Sequence, residues 1–251
     1  MKSSPVLQAM ATAAVLTLCS ISNAAADVVF TDNNFNDFGS YTQTLGPVVN
    51  ETVTPSQCPS CGSPGAALQI VFNVGDTTSS TATGSLGLIN PGFSYNPGTQ
   101  GPAQSIDASI FKEVNLTPPP NVPAYSFNYT FVPLIEQDGK FYLSVISGPM
   151  LSSPNTTTGF NTLSATGLTA ADFNEYDFAT GTLSPNHPNF SGDVMSFGLF
   201  SGVTNISGGP AFGLTAVYQD YSVAVVTPEP SLLLLLAGML PVFGVMQRRR
   251  K

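Results

Sequence analysis

Two cysteines carry the most reactive side chains in the body of the chain. Cys58 and Cys61 lie three positions apart in a Cys-Pro-Ser-Cys segment, a spacing that suits a disulfide, half of a zinc site or a redox pair. A zinc site needs further ligands, but the chain has one histidine, His187, and no second cysteine pair. Flanking prolines and glycines indicate a loop, whereas redox cysteines favour a helix start. We therefore predict a loop-closing disulfide, with a redox pair and free thiols as alternatives.

Oxygen ligands cluster near the start of the body. Asp32, Asn34, Asn36 and Asp37 follow one another closely, and Asp220 lies in the last predicted strand. The first and last strands of a jelly roll are often neighbours, an arrangement that would let Asp32 and Asp220 hold Ca²⁺ together. The EF-hand pattern is missing, because its sixth-position glycine and twelfth-position glutamate are absent. We favour an Asn/Asp-rich turn whose side chains cap backbone groups, and keep the calcium site as the alternative.

Catalytic chemistry has little support in the sequence. Asp172, Glu175 and Asp177 are close carboxylates, and a glycosidase uses such a pair. A solvated acidic turn is the preferred interpretation of the three. His187 has no recognisable nucleophile beside it, and no Gly-x-Ser-x-Gly segment stands between a strand and a helix. No catalytic residue is predicted.

The elements that would position these residues are short strands. Helical periodicity is nearly absent, while prolines and glycines punctuate the chain throughout. Asp138-Gly139 between two apolar runs predicts a tight hairpin turn, and residues 169–173 predict a single helical turn after a Thr169 cap. Strands are predicted at residues 28–30, 67–74, 105–114, 125–131, 134–146, 194–200 and 212–226. About eight short strands predict an all-β protein with two packed antiparallel sheets, a jelly-roll sandwich.

The N-terminal segment has the three parts of a secretory signal peptide. Lys2 supplies the positive start, residues 6–18 are apolar, and small residues end the segment at Ala26. We predict that signal peptidase cuts after Ala26. A lipoprotein signal at Cys19 is the alternative, although Leu18 stands where a small residue is required.

The C-terminal segment has the pattern of a membrane-directed sorting signal. A Pro228-Glu229-Pro230 triplet precedes an uncharged apolar span at about residues 231–247. Cations remain preferentially on the cytoplasmic side, so the body would lie outside the cell's interior. A buried hairpin or core helix with a basic end is the alternative. The cytoplasmic basic tail would consist of Arg248, Arg249, Arg250 and Lys251.

This tail resembles the bacterial PEP-CTERM sorting signal. The resemblance implies that a membrane-embedded exosortase recognises the triplet and processes the protein on its way to the cell surface or an extracellular polymer matrix. Parts of the body, such as residues 31–38 and 218–223, resemble carbohydrate-binding modules and concanavalin A-like jelly rolls. The expected organisation is therefore a signal peptide at 1–26, a β-sandwich at 27–226 and the sorting signal at 227–251.

Charge and composition narrow the function further. Residues 27–226 contain fourteen acidic side chains and two lysines, a net charge of −12, which argues against nucleic acid as a partner. We expect an exported, non-enzymatic surface or matrix protein that associates with polysaccharide, its precursor anchored in the inner membrane. A secreted carbohydrate hydrolase on the same sandwich is the alternative. Tryptophan is absent, so a sugar-stacking platform would have to come from Tyr41, Tyr95, Tyr125 or Tyr129.

Overall fold

The computed structural model describes residues 27–76, 82–117, 127–145, 151–152, 159–205 and 211–228. The predicted signal peptide with its cut after Ala26 lies outside these residues, as does the sorting signal from Glu229 onward. Pro228, the first residue of the triplet, is the last one described. Over the described ranges, no helix combines the length and the apolar character needed to cross a membrane.

Strands make up most of the described chain. Alternation of apolar and polar residues favours this, because successive side chains of a strand face opposite sides. Short helical turns occur at Phe38–Ser40, at α1 (Pro97–Gln100) and at Ala170–Asp172. The strands are β1 (Val28–Asp32), β2 (Thr42–Leu45), β3 (Glu51–Gly62), β4 (Gly65–Val74), β5 (Ala82–Tyr95), β6 (Ser105–Thr117), β7 (Phe127–Gln137), β8 (Lys140–Ser144), β9 (Leu151–Ser152), β10 (Asn161–Leu168), β11 (Phe173–Asp177), β12 (Thr182–Ser184), β13 (Met195–Asn205) and β14 (Phe212–Val226).

The strands form two antiparallel sheets. Sheet A has the order β10-β6-β14-β4-β3, and β1 pairs with β14. Sheet B has the order β12-β11-β8-β7-β13-β5-β2, and β9 pairs with β7. The predicted all-β fold with two antiparallel sheets is therefore confirmed.

The main core lies between the sheets. On β4, the alternate residues Leu68, Ile70, Phe72 and Val74 are buried, and Tyr218 on β14 joins them. Each fully buried side chain of this size contributes about 1.5–3 kcal/mol by leaving water. A smaller apolar cluster lies on the opposite face of sheet B and consists of Ile89, Val132, Leu134, Leu143, Phe178 and Phe200.

Strand β14 changes its partner midway along its length. Residues 212–218 pair with β4 and residues 221–225 pair with β1, while β6 runs along the other edge. The register with β6 shifts between Gln219 and Ser222, and Asp220 there has a φ of 49°. This β-bulge brings the end of β1, the β3–β4 hairpin and β14 to the same place.

Two local predictions are confirmed and one is corrected. Asp138 and Gly139, with φ values of 53° and 69°, form the turn between β7 and β8. Thr169 caps the single 3-10 turn Ala170–Asp172. The segment around Cys58 and Cys61, predicted as a loop, instead belongs to β3. Pairing with β4 continues to Gly62, which lies opposite Gly65. The register shifts between Cys58 and Gly62, and this irregularity accommodates the turn-forming residues within the strand.

Candidate functional site

A polar cleft opens where the chain leaves β1. Its volume is about 310 Å³, within the lower range of small-molecule sites. Amide and carboxylate side chains dominate its surface, and one aromatic ring closes its floor. The cleft is lined by Thr31, Asp32, Asn33, Asn34, Asn36, Asp37, Asn90 and Phe93.

The loop that forms one wall is fixed by Asp32 and by an aromatic anchor. Asp32 Oδ1 accepts a hydrogen bond of 2.7 Å from the backbone N–H of Phe35, the usual role of aspartate in a turn. Phe35 has a φ of 51° and is fully buried. Its ring lies 5.8 Å from the ring of Tyr41. The loop is therefore held by the hydrogen bond to Asp32 and by the packing of the Phe35 ring in the core.

The second oxygen of Asp32 is also engaged. Tyr41 donates its hydroxyl hydrogen to Asp32 Oδ2 across 2.7 Å, and both side chains are buried. Burial, reinforced by the neighbouring Asp32 carboxylate, raises the pKa of Tyr41. The pKa of the exposed Asp37 is also raised. The main cause is partial burial, and the second is contact with the Asp32 carboxyl group. The cleft thus contains two neighbouring carboxyl groups, and the presence of Asp32 contributes to the raised pKa of Asp37.

Strand β5 supplies the opposite wall. Asn90 is 2% exposed, and its Oδ1 accepts a 2.8 Å hydrogen bond from the backbone N–H of Gly92. The Phe93 ring is stacked between Phe30, at 5.4 Å, and Tyr221, at 6.0 Å. This wall is rigid because the core holds both of its side chains.

The structure brings the two predicted calcium ligands into adjacent positions. Strand β1 pairs with β14, with Asp32 opposite Tyr221, so the first and last strands are neighbours as predicted. The backbone N–H of Asp220 donates to the carbonyl of Asn33 at 3.2 Å. Asp32 plays the capping role that the turn interpretation expects. Among the described residues, no three His, Cys, Asp or Glu side chains form a metal-holding group. The calcium site at Asp32 and Asp220 stays a prediction.

The disulfide hairpin lies beside this cleft. Cys58 and Cys61 are bonded across a Cα–Cα distance of 5.5 Å, the pairing that the sequence predicts. The buried Gln219 of the β14 bulge accepts from the Ser63 N–H at 2.6 Å. Its amide also donates to two carbonyls of the same hairpin, at 3.0 and 3.1 Å. Gln57 of β3 donates to Asn36 Oδ1 at 3.0 Å, which joins the hairpin to the cleft loop.

The three acidic residues considered for catalysis, Asp172, Glu175 and Asp177, form hydrogen bonds that hold the local structure. Asp172 accepts from the Thr169 N–H and hydroxyl at 2.7 and 2.8 Å. Hydrogen bonds from Asn186 and then Lys140 lower the pKa of Glu175. Hydrogen bonds within its own turn, first from Thr180, lower the pKa of Asp177. A glycosidase acid needs a raised pKa, so these directions favour the solvated turn over a catalytic pair.

The single histidine also has a structural contact. His187 Nδ1 lies 2.6 Å from the carbonyl oxygen of Phe173. This hydrogen bond ties the loop after β12 to the start of β11. Among the described residues, no nucleophilic side chain forms a hydrogen bond with this ring.

The tyrosines proposed as a sugar platform are buried where the structure describes them. Tyr41, Tyr95 and Tyr129 are 5%, 0% and 3% exposed, and Tyr125 lies outside the described residues. Each ring is held inside because its hydroxyl has an internal partner: Asp32, the Gly101 carbonyl and Ser201, respectively. None of these three offers a face to a ligand, and a platform at Tyr125 stays a prediction.

Sequence reasoning missed two buried charged residues and one wall of the cleft. Glu51 and Lys112 are 8% and 2% exposed. Lys112 had a signal, because it continues the inward-facing alternation of Ile106, Ala108 and Ile110. Asn90 had none, since its burial depends on the loop that crosses in front of it.

A scan against protein-family models and a search of curated proteins both returned no match for this chain.

Proposed function

We propose that this chain is an exported, exosortase-processed protein of the cell surface or extracellular matrix. The observation that carries the proposal is the C-terminal sequence: the Pro228-Glu229-Pro230 triplet, an apolar span and four terminal cations. Signal peptidase removes residues 1–26, and the inner membrane holds the precursor by its C-terminal span. Residues Asp27–Val226 form one compact unit, whose limits coincide with the predicted ends of the two signals. This agreement supports a passenger domain between two targeting segments.

The body is proposed to be a jelly roll of the kind found in carbohydrate-binding modules. Two antiparallel sheets with an adjacent first and last strand support that assignment. Its net charge of −12 disfavours nucleic acid and anionic lipid as partners.

The polar cleft is the proposed contact site for polysaccharide. Amide and carboxylate groups offer donors and acceptors side by side, which match neighbouring sugar hydroxyls. The cleft walls are fixed by Asp32 and Asn90, so little ordering is required when a ligand binds. The hydrolase alternative gains no support, because the carboxylates that motivated it are engaged in local hydrogen bonds and in an ion pair with Lys140.

Sorting is tested by changing the triplet. In a host that carries an exosortase, Glu229→Gln should leave the protein in the inner-membrane fraction at precursor mass. The control Asp193→Asn, an exposed acid of the body, should be processed like the wild type. If Glu229→Gln is processed at the wild-type rate, the exosortase does not depend on the triplet, and that part of the proposal is wrong.

Polysaccharide contact is tested with the mature protein on a glycan array and by titration with the host's secreted polymer. Changing Asn33 and Asp37 together to Ala removes two exposed cleft groups and should weaken binding by about tenfold or more, equivalent to about 1.4 kcal/mol. The matched control changes Asn115 and Asp193, which are exposed and do not line the cleft. Equal binding by both double variants, or no binding by the wild type, would exclude the cleft as the contact site. Repeating the titration with Ca²⁺ and with a chelator tests the calcium prediction separately.

A further inference from the structure

A lysine and an asparagine face each other on the inner side of sheet A. Lys112 lies on β6 between Ile110 and Val114, which are both buried, and it is itself only 2% exposed. Its direct partner in the antiparallel register is Asn161 on the edge strand β10. Directly opposed residues share one face of a sheet, with Cβ atoms about 4.5–5.5 Å apart. The two side chains therefore enter the same part of the core.

Lys112 is a buried cation without a counter-charge. In the described part of the chain, its ammonium has no hydrogen-bond or ion-pair partner and lies 5.3 Å from the centre of the Tyr129 ring. Burial lowers the pKa of Lys112 to about 8. About a tenth of the side chain is therefore the neutral, nucleophilic amine at pH 7.

Asn161 is the second group whose bonding is incomplete. Its Oδ1 atom is buried and has no hydrogen-bond partner among the described residues. Buried amide oxygens are almost always paired, so an unpaired one directly opposite a buried lysine in the strand register requires an explanation. One covalent bond between the two side chains, formed at the amide carbon of Asn161, would remove the isolated charge of Lys112.

We propose that Lys112 and Asn161 are joined by an intramolecular amide bond between Nζ and Cγ. The Nζ–Cγ bond forms and the Cγ–Nδ2 bond breaks. Nδ2 leaves with two protons that the Lys112 ammonium gives up, so one ammonium ion is released and no oxidant or reductant is consumed. The lysine stem reaches Cγ by turning from the Tyr129 ring toward β10.

The bond has a physical rationale in the fold. Conversion to an amide removes a charge from an apolar core and transfers it to water as ammonium, which relieves the desolvation of the buried cation. It also fastens the edge strand β10 to β6, an interior strand of sheet A. Such a clamp would suit a protein outside the cell, and it does not depend on the cleft or its ligand.

The sequence provides an unusually sharp test. Lys112 and Lys140 are the two lysines between residues 27 and 226, and no arginine lies there. Trypsin needs an unmodified lysine, so a free Lys112 gives three fragments after denaturation: one ending at Lys112, residues 113–140, and one starting at residue 141. If the bond is present, Lys112 is not cut, and the bond still joins the two pieces on either side of Lys140.

The predicted result is that wild-type full-length protein, reduced and denatured before trypsin is added, keeps its body as one band. Mass spectrometry of a chymotryptic digest should show one branched peptide that contains Lys112 and Asn161 and lacks one ammonia. Lys112→Arg and Asn161→Ala should each give the three fragments, whereas Lys140→Arg should retain the intact band. Three fragments from the wild type, or a branched peptide at another residue, would overturn the proposal. The wild-type digest decides the question even where a variant fails to fold.

Discussion

Two buried acids of this sandwich have the same exposure and different surroundings. Asp32 and Glu51 are each 8% exposed. Asp32 accepts hydrogen bonds from the Phe35 N–H and the Tyr41 hydroxyl. Neither carboxylate oxygen of Glu51 has a hydrogen-bond partner in the described part of the chain, and burial raises the pKa of Glu51 to about 8. The exposed fraction alone therefore does not determine whether the fold stabilises the charged form of a buried carboxyl group.

The difference originates in the backbone around each residue. Asp32 precedes a turn whose free N–H groups point back toward its side chain, as in many aspartate turns. Glu51 begins β3 and faces Gly84 of β5, where a Cβ atom would lie 2.7 Å from the Glu51 carboxyl carbon. Gly84 makes room for the carboxyl group but brings no side-chain donor. A turn leaves backbone N–H groups free to donate to a side chain, whereas paired strands have already used theirs in the ladder.

The largest expected effect concerns Glu51 and pH. A carboxyl group whose pKa rises from 4.5 to about 8 on folding binds more protons in the folded state, so stability falls as pH rises between those values. We expect a loss on the order of 4 kcal/mol from this group between pH 5 and pH 9. Urea unfolding at both values should show that Glu51→Gln removes most of this loss. The half-buried Glu113→Gln should leave the pH dependence as it is. An unchanged slope in Glu51→Gln would mean that Glu51 has a partner in solution.

The second effect concerns Asp32. Asp32→Ala leaves the Tyr41 hydroxyl and the Phe35 N–H buried without an acceptor, which should cost about 3 kcal/mol in urea unfolding at pH 7. Asp37→Ala, which removes an exposed acid from the same loop, should change stability by less than about 0.5 kcal/mol. A loss for Asp32→Ala as small as that for Asp37→Ala would show that the two hydrogen bonds to Asp32 contribute little, and the contrast with Glu51 would disappear.

A smaller effect is expected at Gln219, a neutral counterpart of Asp32. Gln219→Ala removes the hydrogen bonds that hold three backbone groups of the disulfide hairpin. We expect a loss of about 2 kcal/mol and faster reduction of Cys58–Cys61 by a thiol, measured by mass tagging of the released cysteines. The exposed Gln43→Ala serves as the control. Reduction at the wild-type rate would indicate that the hairpin stays in place without Gln219.

The sequence predicts the strands better than it predicts the site. Period-two alternation located residues 212–226 at the bounds of β14, and Asp138-Gly139 placed the β7–β8 turn, because both signals are local. Cys58–Gly62 was misassigned to a loop, since prolines and glycines weaken a strand signal although pairing with β4 overrides it. Pairing with the next strand along the chain decides that case.

The cleft was predicted in part. The Asn/Asp group at residues 32–37 marked one wall, because turn-forming residues are recognisable by type. Asn90 and Phe93 are more than fifty positions away and reach the cleft only through the order of strands in the two sheets. Glu51 gave no signal, because its burial depends on the small residue that faces it from β5.

Terminal mass analysis of the protein recovered from its native envelope tests export most directly. The expected species begins at Asp27 and has lost the apolar span and the four cations that follow the Pro228-Glu229-Pro230 triplet. It should be found at the cell surface or in the secreted matrix. A chain that carries both ends intact and fractionates with the cytosol would contradict the proposed function.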